Sequence, residues 1–67
     1  MKSLVKVSNI KKLDDVNKIK KAISSNEGVI ACEINKEIGE INIVFNEQFT
    51  DIDSIVESIE DLGYIIL

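Results

Sequence analysis

Apolar and polar positions follow two different periods along this chain, and the points where one gives way to the other mark its elements. Over Ser3 to Val7, Val5 and Val7 fall on one face and Leu4 and Lys6 on the other, the period of a half-buried strand. From Leu13 the apolar residues recur three and four apart, at Leu13, Val16, Ile19, Ala22 and Ile23. That spacing predicts an amphipathic helix ending near Ser24 or Ser25. Asp14 and Asp15 lie in its first turn and Lys18, Lys20 and Lys21 toward its end, the order of charge that the helix dipole favours.

The segment NEGV, Asn26 to Val29, reads as a turn in which Gly28 takes positive φ, and a second strand runs on to Asn35. Its alternation places Ile30, Cys32 and Ile34 on a shared face. NKEIGE closes a hairpin with Gly39 at the tight position, after which Glu40 to Phe45 turns Ile41, Ile43 and Phe45 inward and Val44 outward. Thr50 or Asp51 caps a second helix, with Asp53 or Ser54 as the capping partner, and Ile52, Ile55, Val56, Ile59 and Leu62 form its apolar stripe. Gly63 ends that helix, and Tyr64 to Leu67 makes a short final strand.

The order strand, helix, strand, strand, helix, strand, with right-handed crossovers, interlocks two βαβ units. The expected fold is therefore α+β: a ferredoxin-like βαββαβ sandwich, with a four-stranded antiparallel sheet and two helices on one face. The other face shows Lys6, Glu33, Asn42 and Val44 to water.

With 67 residues, the chain has room for a single domain over 1–67, close to the size at which a core folds without staples. No apolar run approaches the roughly 20 residues that span a bilayer, and no secretion signal opens the chain, so a cytoplasmic protein without membrane contact is expected. Charge is divided along the sequence. Lys2, Lys6, Lys11, Lys12, Lys18, Lys20 and Lys21 crowd the first third, whereas from Ala22 onward Lys36 alone faces ten acidic side chains. A net charge of −4 and the absence of Arg argue against nucleic acid as a partner. Cys32 is the one cysteine, so neither an internal disulfide nor a thiolate pair can form within a chain.

Three segments, AISSNEGVIACEIN, GEINIVFN and above all IVESIEDLGYII, resemble the heavy-metal-associated domains of copper chaperones and of the N-terminal regions of copper-transporting ATPases. The resemblance runs over nearly the whole chain. It implies a metal loop of the form Met-x-Cys-x-x-Cys between the first strand and the first helix, and counting back from Gly28 and Val29 places that loop at Ile10, Lys12 and Asp15. Both ligand cysteines are thus missing. Soft Cu(I) selects thiolates, and neither an ammonium nor a hard carboxylate replaces them. The resemblance leaves Ile10 the methionine's apolar anchoring role and sets Tyr64 over the loop. No metal or other cofactor is expected. Lys12 and Asp15, three apart, suggest a helix-start ion pair, and Cys32 reads as a small core residue.

Three functional classes follow. The first is a protein-interaction or regulatory module that does not carry Cu(I), steered toward an acidic protein domain by Lys11, Lys12, Lys18, Lys20 and Lys21. The second is metal binding or a metallochaperone role in copper or heavy-metal transport, through other ligands or a dimer. The third, catalysis, is disfavoured: the acylphosphatases that share this topology depend on an arginine, and the chain has none. A non-enzyme is expected.

Overall fold

A computed structural model describes residues 1–67. Six elements follow in order: β1 (Lys2–Ser8), α1 (Leu13–Ser24), β2 (Val29–Asn35), β3 (Glu40–Phe45), α2 (Ile52–Glu60) and β4 (Ile65–Ile66). The strands form one antiparallel sheet in the order β2-β3-β1-β4. This is the expected ferredoxin-like βαββαβ sandwich. Alternation along β1 and β3 sends Val5, Val7, Ile41, Ile43 and Phe45 to one face, where Ile19 and Ile23 of α1 and Ile55 and Ile59 of α2 close over them. These nine are the buried residues of the chain, and every one is apolar. No helix is long and apolar enough to cross a membrane.

Both helices begin where their capping chemistry allows. Asp51 caps α2, its carboxylate accepting from the Ser54 amide at 2.8 Å. Lys12 caps α1 but has no acceptor in its side chain, so the cap must come from elsewhere. The far ends of the helices are tied together by Asn26, whose amide donates to the Ala22 and Ile23 carbonyls and, at 3.1 Å, to Ser58 in α2.

Four expectations need correction. A bulge at the start of β2 sets Val29 against Phe45 and Ala31 against Val44, which shifts the alternation by one residue. Val29 therefore packs on the core and Ile30 is turned out, 69 % exposed, while Cys32 and Ile34 keep their inward places. Leu13 opens α1 beyond the end of the core cluster and is 67 % exposed. Leu62 is not on the helical stripe, because α2 stops at Glu60; the reversal that completes at Gly63 (φ 98°) leaves Leu62 exposed. Finally, Lys12 and Asp15 are joined through the Lys12 backbone and not through its ammonium. The chain's ion pair is Asp14 with Lys18, at 3.3 Å one turn along an exposed helix face.

Candidate functional site

The segment linking β1 to α1 takes its shape from both ends. Asn9 leaves the strand at φ 70°, a left-handed conformation that asparagine tolerates better than most residues. Ile10 then tucks against the core. Lys11 and Lys12 are left exposed at the helix entrance with their backbone N–H groups directed at the first turn of α1.

Those two N–H groups have an acceptor within the helix itself. Asp15, in the first turn, turns back so that its Oδ2 accepts from the Lys11 and Lys12 amides, each at 3.0 Å. This is the reverse half of a capping box, made by the carboxylate at the third helical position. The other oxygen, Oδ1, accepts the Tyr64 hydroxyl at 2.5 Å, across 49 residues of sequence. The sheet brings Tyr64 there. β4 pairs with β1 as Ile65 against Ser8 and Ile66 against Val7, so the same register one residue further sets Tyr64 beside Asn9, at the mouth of the loop.

Each member of this cluster changes the chemistry of the other. The Tyr64 hydroxyl, then the Lys11 and Lys12 amides, favour the charged carboxylate and hold Asp15 at about 2, against an ordinary 3.8. The same hydrogen bond, helped by partial burial and by the charges of Asp15 and Asp14, keeps the proton on Tyr64 and pushes the phenol up to about 12. With both oxygens engaged, Asp15 is a fixed acceptor that closes the loop.

Neither a protein-family model nor a curated protein matches the chain by sequence. Solved structures do match. The CopZ metallochaperone superposes with a TM-score of 0.97 at 18% identity, each chain covered in full. A copper binding domain from HMA7, a P-type ATPase, gives 0.93 at 23% identity over 98% of this chain and 89% of that one. Apo-CopP from Helicobacter pylori gives 0.89 at 27% identity over the whole of both. The chain shares the fold of these metallochaperone and copper-binding domains. At these identities the likeness is one of fold, and what the site does has to be read from its own side chains.

In this chain the residues at the loop do not fit Cu(I). Lys12 offers an ammonium, Asp15 a hard carboxylate already bound by three donors, and Tyr64 a protonated phenol. The sole thiol is elsewhere. Cys32 lies in β2, at the opposite edge of the sheet from β4, half-buried on the side that faces the helices. No three Cys, Asp or Glu side chains converge to hold a metal ion anywhere in the fold. Burial pushes the Cys32 thiol up, with Lys20 pulling the other way. A thiol reagent should therefore label Cys32 several-fold more slowly in native buffer than in denaturant, because reaction needs both exposure and thiolate. Equal rates would contradict its placement.

The lysines expected to form a recognition face divide into two kinds. Lys18 is paired with Asp14, whereas Lys11, Lys12, Lys20 and Lys21 are exposed with no carboxylate within 4 Å. What sequence reasoning missed is the link from Asp15 to Tyr64. Spacing along the chain carries no sign of it; the register of a two-residue strand creates it.

Proposed function

We propose that this heavy-metal-associated-like domain is a protein-interaction module that does not carry Cu(I), having lost the thiolate pair while keeping the scaffold. The observation that carries this reading is the occupation of Asp15, whose carboxylate closes the loop with the Lys11 and Lys12 amides and the Tyr64 hydroxyl. A loop fixed by its own side chains needs no ion to hold its shape. On this reading Lys12 and Asp15 stand at the two ligand positions, Ile10 stands in for the methionine, and Tyr64 completes the closure. The domain works in the cytoplasm as a binding module, without catalysis.

Its partner is an acidic protein domain. Lys11, Lys12, Lys18, Lys20 and Lys21 are all exposed on the loop and α1, on a chain whose other surfaces are mainly acidic, so its field orients an acidic partner toward this side. The test is capture of proteins from lysate by the immobilised domain, with the retained set identified by mass spectrometry. Acidic proteins should be held at 0.1 M salt and released at 1 M, where the Debye length falls from about 10 Å to about 3 Å. Lys11→Glu with Lys20→Glu should abolish that retention and leave the fold intact, since exposed substitutions move stability by about 0.5 kcal/mol. Retention indifferent to both would leave these lysines as a solvated helix face.

The second reading, metal handling through other ligands or a dimer, draws its support from the neighbours, which are metallochaperones and metal-binding domains by name.

A further inference from the structure

Leu62, left outside the core by the reversal after α2, is one of nine large apolar residues that stay exposed. It is 44 % exposed, and it lines a shallow groove of about 290 Å³ with Lys18, Lys21, Ala22 and Ser25, a single stripe along α1. The groove thus has an aliphatic floor, Ala22 and Leu62, and a cationic rim. Directly before Leu62 stand Glu60 and Asp61, both exposed, at the C-terminal end of α2. That is the end of a helix where the dipole disfavours negative charge, and the last turn of α2 holds no basic residue. Nor does any lysine of the chain come within 4 Å of either carboxylate.

Leu62 therefore joins the lysine-rimmed groove that it lines to the two carboxylates that precede it in the chain, and an aliphatic side chain flanked by carboxylates is the chemistry that such a groove accepts. We infer that a second copy of this chain docks here, in a two-fold dimer where Leu62 of each protomer packs on Ala22 of its partner and Glu60 and Asp61 meet Lys18 and Lys21. Two-fold symmetry makes each contact twice, so a patch complementary to itself is the kind that closes on one partner copy. The patch is small, and association is accordingly weak and concentration-dependent. It rests on other observations than the acidic partner proposed above, and because both use Lys18 and Lys21 the two associations compete.

Sedimentation equilibrium on the full chain over a wide range of protein concentration tests this, with far-UV circular dichroism to confirm folding. The wild type should pass from monomer to dimer. Lys21→Glu and Asp61→Lys should each raise the dissociation constant roughly tenfold or more, since like charges then meet across the axis. The two changes combined in one chain should restore dimerisation, because every reversed lysine again faces a reversed acid. A wild type that stays monomeric at its highest soluble concentration overturns the inference. So does a dimer that is indifferent to the single changes, or one that the double change fails to restore. Asp61→Lys lies outside the lysine face, so its loss of dimerisation with capture of acidic proteins retained separates the two surfaces.

Discussion

Replacing Asp15 with Asn should return the Tyr64 phenol from about 12 to near its ordinary 10, read as the ultraviolet shift of tyrosine ionisation in a chain that contains no other tyrosine. Asparagine keeps the shape of the side chain and removes the charge. It thereby withdraws the charge-assisted hydrogen bond that is the largest cause of the shift. The same variant should speed hydrogen exchange at the Lys11 and Lys12 amides, which lose their anionic acceptor, while amides in β1 and β3 are unaffected. Tyr64→Phe should act on the other side of the bond, letting the Asp15 carboxyl rise from about 2 toward 3.8.

Stability should follow both titrations, with opposite signs. Asp15 titrates lower in the folded chain than in the unfolded one, so its contribution is complete above about 4 and is lost as pH falls through 2. Tyr64 titrates higher when folded, so its contribution is complete below 10 and is lost as pH rises through 12. The two limbs share the Tyr64–Asp15 hydrogen bond, to which the Lys11 and Lys12 amides add on the acid side. Asp15→Asn should therefore flatten both together, and a variant that flattens only one would show that the hydroxyl and the carboxylate are not each other's partner.

Installing Lys12→Cys with Asp15→Cys should carry the domain from no bound Cu(I) to one ion per monomer in competition with a thiolate chelator. Both positions lie at the start of α1, where the positive end of the helix dipole lowers a thiol's pKa and favours thiolate. Two soft donors would then stand where an ammonium and a hard carboxylate now do. The change also removes the Asp15 acceptor, so the phenol of Tyr64 should fall toward 10 in the same protein, an internal check that the loop has been opened. A folded double variant that takes up no more copper than wild type would show that Lys12 and Asp15 are not at the ligand positions.

The parts of this fold legible in the sequence were those set by period. Ile19, Ile23, Ile55 and Ile59 announce their burial by helical spacing, as do Val5, Val7, Ile41, Ile43 and Phe45 by alternation. Ile30 was misplaced because a bulge adds one residue to the alternation, and nothing in VIACEIN marks where that residue enters. Leu13 and Leu62 were misplaced because an apolar stripe does not say where the core beneath it ends. At the site, it was legible directly that no thiolate pair can form within the chain, since it has one cysteine. The closure of the loop by Asp15 and Tyr64 was not. Asp15 read as an ordinary first-turn acid and Tyr64 as a residue packing over the loop; only the pairing of β4 with β1 turns the two into a hydrogen-bonded pair.

The central claim, that Asp15 and Tyr64 rather than a metal close this loop, is tested most directly by titrating the wild-type domain with Cu(I) against a thiolate chelator while following Tyr64. The account predicts that the chelator keeps all of the copper and that Tyr64 continues to ionise at about 12. One copper per monomer drawn away from the chelator, with the tyrosine shifting as it binds, would contradict it.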